Sequence, residues 1–271
     1  MINVSSPNTP GLRALQGGGR LGTLLGRVVS ERDGLVVGSD GRRPKVVVKV
    51  APDLGEEQVG EIARAVRESG VDGVIVSNTT VGRPASLKSR ELIVSLSLST
   101  RRGNGKLIAL LLLSLSPSLS LTSFPLPLPP FFPPPLSHPA LASETGGLSG
   151  PPLKPLALST LRSLRSLLPP STPIIGCGGI STGSDVLEFV EAGAAAVQLY
   201  TSFGFNGVGT ARKIKDELEV ELEKKDVTFR TLVWERRQRL VESWEKRERE
   251  KEGGRLEREV KELVEEVREL F

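Results

Sequence analysis

A chain of 271 residues, 38% of them hydrophobic, is long enough for one large domain or two small ones with a sizeable core. Its formal net charge of +4 is modest, and Lys and Arg are mostly interleaved with Glu, so no nucleic acid partner is expected. A single cysteine, Cys177, excludes an internal disulfide and any multi-cysteine metal site, and it fits a reducing compartment.

The chain opens on "NVSSPNTPGL", residues 3–12. Ile2 and Val4 have the alternation and β-branching of a strand end, while Ser5 to Gly11 are turn formers with short hydrogen-bonding side chains. That places a polar loop at the mouth of a strand, although a plain turn would use the same residues. This opening reads as strand and loop rather than as a signal or transit peptide.

Leu21 to Arg32 has apolar positions at helical spacing, and Lys45 to Val50 (KVVVKV) is a β-branched strand closed by Ala-Pro-Asp. Glu56 to Ser69 is a second helix with Val59, Ile62, Ala63 and Val66 on one face, ended by Gly70, and Gly73 to Ser77 (GVIVS) is a buried strand. Residues 90–142 then interrupt the pattern. Beyond them, Ser159 to Leu168 predicts a helix, Pro173 to Gly176 a strand, Gly183 to Ala192 a helix and Ala195 to Tyr200 a strand. Short apolar strands alternating with amphipathic helices indicate parallel pairing, in either a doubly wound sheet or a (β/α)8 barrel.

The polar residues favour the barrel, because every strand ends in a chemically loaded loop. Asn3 to Thr9 follow the first strand, Lys49 lies within the second, Ser77-Asn78-Thr79-Thr80 follow the third, Gly178-Gly179 the fourth and Tyr200-Thr201 the last. Barrel enzymes build their sites on that face, with phosphate held after the late strands. Gly176 to Gly179 (GCGG) can offer bare N–H groups to an anion, and Ser181 to Asp185 can open the next helix with its N-terminus toward the same anion. A tight turn would also use the Gly-Gly pair. Lys49 in an otherwise apolar strand points to a functional role, since a buried lysine without a partner is costly.

The interruption contains "LIALLLLSLSPSLSLTSFPLPLPPFFPPPLSHPAL", a low-complexity Pro/Ser/Leu segment expected to be disordered. Translated intron is the preferred reading and a genuine Pro-rich linker the next. The unbroken apolar run Leu107 to Leu113 is too short for a membrane span. His138, the one histidine, lies between Ser137 and Pro139, so neither a histidine acid nor a metal site is supported. Trp234 to Phe271 is rich in Glu, Arg and Lys, with Leu256, Val260, Leu263, Val264 and Val267 at helical spacing. It predicts one or two exposed helices broken at Gly253-Gly254, by default solvated, with a coiled-coil or partner-binding role as the alternative.

"NVSSPNTPGL", "VVVKVAPDL", "VSNTTVGRPASL", "SETGGLSGPPLKPLAL", "IIGCGGISTGSD" and "VQLYTSFGFNG", in this order, resemble the class 2 dihydroorotate dehydrogenases, quinone-linked flavoenzymes of pyrimidine synthesis. The resemblance spans residues 2 to about 89 and 143 to about 225. Relatives using a soluble acceptor usually carry cysteine where this chain has Ser6. It implies an α/β fold, a partial (β/α)8 TIM barrel of about strands 4 to 8. The parts are 1–89 with the catalytic loop, the insert 90–142, 143–225 with the FMN phosphate site, and a charged helical tail at 226–271. Val227 to Val233 would be the remnant of a family terminus.

By matching positions, the resemblance implies that Ser6 is the general base removing the C5 proton of dihydroorotate as hydride leaves C6 for flavin N5, with Thr9 and Asn8 as local supports. Asn3, Ser5, Pro7, Asn8, Asn78 and Thr79 would form the substrate site. Asn3, Lys49, Ser77, Ser149, Gly150, Gly178, Gly179, Tyr200 and Thr201 would surround FMN, with Lys49 at the flavin N1/O2 edge and the last four residues holding the phosphate through backbone amides and a hydroxyl. Ser77 stands where threonine is common. Cys177 stands where valine is common, and reads as a small core residue.

The implied partners are dihydroorotate or orotate and ubiquinone, and the implied location is the mitochondrial inner membrane. The family reaches that membrane through an N-terminal helical segment absent here. In the family the opening motif follows the fourth barrel strand, so the chain is expected to represent the second half, from an incomplete gene model or a fragment, with a genuine short product as the alternative. The function expected is FMN-dependent oxidation of dihydroorotate with quinone as acceptor. The alternative is an inactive half-barrel with only an interaction role.

Overall fold

The computed structural model describes residues 1–17, 19–35, 41–83 and 146–270. The chain divides into two units, Met1–Gly82 with Gly146–Phe271, and Arg83–Thr145. The insert expected at 90–142 lies outside the described residues.

In the first unit the described elements run β1 (Ile2–Asn3), a 3-10 turn (Leu12–Gln16), α1 (Arg20–Asp33), β2 (Val47–Val50), α2 (Glu56–Ser69) and β3 (Gly73–Val76). After the insert come a 3-10 turn (Pro151–Leu153), α3 (Lys154–Leu167), β4 (Ile174–Cys177), α4 (Gly183–Glu191), β5 (Ala196–Gln198), α5 (Thr201–Asn206), α6 (Thr210–Lys224) and α7 (Phe229–Leu270). The predicted strands and helices are present, most with ends shifted by one or two residues. The exceptions are α7, which starts five residues before Trp234, and α3, which starts five residues before Ser159. Pro155 sits in its first turn, where a missing N–H costs no hydrogen bond, and Ala157, Leu158, Leu161 and Leu164 supply its buried stripe. The sequence pattern does not mark α5 and α6.

The sheet is parallel, with strands in the order β1-β2-β3-β4-β5. A doubly wound sheet reverses its strand order at a switch point. Here the order runs straight through, and right-handed crossovers then lay every connecting helix on the same face. That is the winding of a barrel, and it decides between the two architectures.

Strand periodicity sorts the two faces. Val48, Val50, Val74, Val76 and Ile174 are fully buried and join the core with Leu21, Leu25, Ile62, Leu161, Leu164 and Phe189 from the helices. Burying each such side chain contributes roughly 1.5–3 kcal/mol before entropy is counted. The opposite face carries a row in register, Asn3, Lys49, Ile75, Ile175 and Ala196, one residue per strand. It ends at β5 with Ala196 and Gln198 exposed.

Gly176 has a packing role on the helix side. A Cβ there would stand 2.3 Å from Phe189 Cδ1, so the bare backbone makes room for the ring. The phosphate reading of GCGG therefore narrows to its last two glycines.

The tail forms one helix, and the predicted break at Gly253-Gly254 does not occur. Two glycines cost about 1 kcal/mol each relative to alanine. Ion pairs bracket them: Lys251 with Glu248 at 2.9 Å, and Arg255 with Glu252 at 3.6 Å and Glu259 at 3.7 Å. Thr228 Oγ1 accepts the Thr231 N–H at 3.1 Å at the start of α7, and Leu232 and Val233 pack on the core. Among the described residues no helix is long and apolar enough to cross a membrane.

Candidate functional site

The site is assembled where β1, β2 and β3 end. Ser5 is fully buried, and its Oγ donates to the Lys49 carbonyl of β2 at 2.8 Å. Asn3 Oδ1 accepts from the Ser5 N–H at 3.2 Å and from Asn78 Nδ2 at 3.1 Å. Asn78 Nδ2 also donates to Ser5 Oγ at 3.0 Å, and Asn78 Oδ1 accepts the Thr79 N–H at 2.8 Å. Three polar side chains, from β1, the loop after it and the loop after β3, thus fix one another's orientation, with Ser5 buried at their centre.

Ser6 follows immediately and is half-buried, and its Oγ accepts the Asn8 N–H at 3.3 Å. The support expected from Asn8 comes from its main chain. Thr9 instead gives its carbonyl to the Leu12 N–H at 3.2 Å, starting the 3-10 turn. Pro7 and Thr79 are half-buried, and Asn3 and Asn8 are exposed.

Lys49 lies half-buried on the sheet face away from the helices, its Nζ 4.0 Å from Cys177 Sγ. Burial pushes the Cys177 thiol pKa up, with the Lys49 charge opposing, so the group is a neutral buried thiol, consistent with a core role. Ser77 is buried, its hydroxyl donates to main-chain carbonyls of Asn78 (3.0 Å) and Cys177 (3.4 Å), and the Val76–Ser77 peptide is cis.

The late strands supply a second cluster. Gly179 has φ +72°, and a Cβ on it would lie 2.8 Å from the Lys154 nitrogen and 3.0 Å from the Gly150 carbonyl oxygen, so backbone approaches backbone there. A Cβ on Gly150 would be 3.5 Å from Thr201 Cγ2, and Thr201 Oγ1 donates to Ser149 Oγ at 3.0 Å. Ser149, Gly150, Gly179 and Thr201 therefore converge, with Gly178 beside them in the chain. Tyr200, 84% exposed, precedes the short helix α5.

The structure corrects the reading of α4 as an anion site. Asp185 Oδ2 accepts the Ser181 and Thr182 N–H groups at 2.8 and 2.9 Å, and Glu217 accepts the Gly183 N–H at 3.0 Å. Two carboxylates already occupy the positions that an anion would take. Asp185 also binds Lys154 Nζ at 2.7 Å, and Glu188 binds the same nitrogen at 2.9 Å. Burial would raise the Asp185 pKa, but the bonds from Lys154, Ser181 and Thr182 outweigh it and hold the group below its ordinary value.

Because that pKa is lowered by folding, the stabilisation is present above the ordinary carboxylate value of about 3.9 and is lost as pH falls through the native value. Asp185→Ala is expected to cost about 1–2 kcal/mol at neutral pH through the lost cap. It should also flatten the acid limb of a stability–pH curve measured by urea unfolding.

Arg13, Gln16 and Asp53 were not singled out in the sequence. Gln16, 3% exposed, accepts the Ala51 N–H at 3.0 Å beyond the end of β2. Arg13 pairs with Asp53 at 2.8 Å. The available signal was a carboxylate directly after a lysine-bearing strand, in Ala-Pro-Asp, with an arginine just past the Pro-Gly turn.

A sequence profile described as Dihydroorotate dehydrogenase matches residues 1–103 and 136–222. The chain is 45% identical over 225 residues to the protein named Dihydroorotate dehydrogenase (quinone), mitochondrial, of Schizosaccharomyces pombe, covering 83% of this chain and 39% of that one. It is 38% identical to the mouse protein of the same name, covering 83% of this chain and 44% of the relative. The crystal structure of DHODH from Eimeria tenella in complex with ferulenol superimposes with a TM-score of 0.61 at 32% identity, over 83% of this chain and 50% of that one. The chain thus spans about two fifths of these curated relatives and half of the solved one.

Proposed function

The chain belongs to the dihydroorotate dehydrogenase family, and from that premise we propose that it carries the base, the substrate amides and the phosphate grip of an FMN site that oxidises dihydroorotate to orotate with ubiquinone as acceptor. The observation that carries the reading is Ser6 standing one residue beyond the Asn3–Ser5–Asn78 cluster, at the same sheet end as the convergence of Gly150, Gly179 and Thr201.

The residues fit FMN. Backbone drawn together at Gly150 and Gly179, with the Thr201 hydroxyl, suits a phosphate that lacks a lysine, since Lys154 is taken by two carboxylates. Gly178, Tyr200 and Ser149 would complete that grip. Lys49 would set its ammonium against the electron-accepting edge of the flavin, and Ser77 would line the ring from β3. Bound FMN supplies the hydride acceptor.

Ser6 would take the proton from C5 of dihydroorotate. The Asn8 N–H at its Oγ favours the oxyanion a serine base must approach, and exclusion of water by the completed site would strengthen that bond. Asn3, Asn8 and Asn78 would present amides to the ring carbonyls and N–H groups, with Ser5 holding the first and last in place. Pro7 and Thr79 would bound the substrate on the two loops.

The relatives' names place those proteins in mitochondria, and the same location is proposed here, at the inner membrane where a quinone is met. The test is a chimera joining the upstream half of the fission yeast relative to this chain. Its bound flavin should bleach anaerobically with dihydroorotate and recover with a ubiquinone analogue. Bound flavin that dihydroorotate leaves oxidised would overturn the proposal.

A further inference from the structure

We propose that Arg13 and Asp53 are positioning residues that lock the loop carrying Ser6 to the loop carrying Asn78, so that the base and the substrate amides are held as one body; this rests on the reading of Ser6 as the base. One guanidinium reaches three strand-end loops. Its Nε donates to the Ser5 carbonyl at 3.1 Å, its Nη2 to the Thr79 carbonyl at 2.7 Å and its Nη1 to Asp53 Oδ2 at 2.8 Å. Asp53 in turn accepts from Thr80 Oγ1 and, at 3.1 Å, from the Val81 N–H.

The Ser5 carbonyl belongs to the peptide plane that joins Ser5 to Ser6. Fixing that oxygen fixes the rotation of the plane, and with it the place of the Ser6 Cα from which the side chain leaves the backbone. The Asn3–Ser5–Asn78 bonds secure the amides to one another but stop short of Ser6. The guanidinium is the described group that bonds both the Ser5–Ser6 peptide and the loop bearing Asn78.

The chemistry of the pair suits this task. A planar fork can hold two carbonyls and a carboxylate in fixed directions at once, which a lysine ammonium on a flexible stem cannot. The side chains are 23% and 22% exposed, so the pair is shielded from water on most of its surface, and each charge has its opposite in place. Arg13 also enters the chain right after the Ser6 loop, on the 3-10 turn that Gln16 anchors to Ala51, so the clamp has a rigid base.

Arg13→Lys and Asp53→Asn, each made in the chimera, test the inference through the flavin-reduction rate per bound flavin and through orotate affinity. Each should slow reduction by roughly 10- to 100-fold, the penalty for a base displaced by about 1 Å, while orotate affinity stays near that of the parent. Hydrogen exchange should show Ser5–Asn8 and Asn78–Thr80 losing protection together. A purely structural role would lower flavin content or melting temperature and leave the rate per bound flavin unchanged. Unchanged rates in both variants, in a protein that Ser6→Ala slows, would overturn this inference alone. If Ser6→Ala has no effect either, the reading of the base fails as well. Should one variant fail to fold, the rate and exchange of the other decide.

Discussion

Ser6→Ala in the fission yeast chimera is expected to slow flavin reduction by dihydroorotate by about two to four orders of magnitude, the usual span for a positioned general base. The serine is half-buried, one bond beyond a residue locked on three sides, and its oxygen already accepts a main-chain N–H. Alanine removes the oxygen and with it the bond from the Asn8 N–H, but it leaves the Asn3–Ser5–Asn78 cluster, which closes without Ser6. Flavin content and orotate affinity should therefore survive. Stopped-flow reduction at the parent rate would remove Ser6 from the mechanism. A loss of flavin content would instead assign it to the architecture of the site.

The second large effect concerns the 271-residue polypeptide purified alone, which is expected to retain no stoichiometric FMN and to leave dihydroorotate unoxidised. Its described sheet has two edges, β1 and β5, and the row Asn3, Lys49, Ile75, Ile175 and Ala196 lies on the face away from the helices. A barrel interior is filled by side-chain layers drawn from strands all round, and five strands supply part of each layer. The phosphate grip at Gly150, Gly179 and Thr201 is local and can persist. A phosphate contact alone leaves most of the apolar flavin surface in water, so affinity should be low. Open strand edges also favour pairing between copies.

The measurement is gel filtration after incubation with FMN, followed by a flavin spectrum before and after dihydroorotate. Stoichiometric flavin that bleaches would overturn the expectation and show that the polypeptide builds a competent site. If it elutes at twice its mass, a second copy closes the sheet. Absence of flavin favours the reading in which this polypeptide by itself is inactive.

The alternation of strands and helices was legible because each signal is local. The run KVVVKV, the apolar stripe of α2 and the Gly70 stop each declare themselves within a few residues. The same holds for the polar strand ends, from Asn3 to Thr201, and for the motifs that carry the family. Helix continuity at Gly253-Gly254 is not legible in the sequence, because glycine is only a weak breaker when ion pairs bridge it.

What the chain alone determined, then, was its family, the alternation of parallel strands with helices and the polar residues gathered at the strand ends, all carried by short-range periodicity and contiguous motifs. Only the tertiary structure decided which of those residues bind one another. Arg13 meets Asp53 across 40 residues and the Thr79 carbonyl across 66, and Asp185 turns back on its own helix start to close the anion site that its sequence suggested. The physical reason is that a side chain's hydrogen-bond partner is set by the register of neighbouring strands and the rotation of the loops they release, and neither leaves a periodic trace in the sequence.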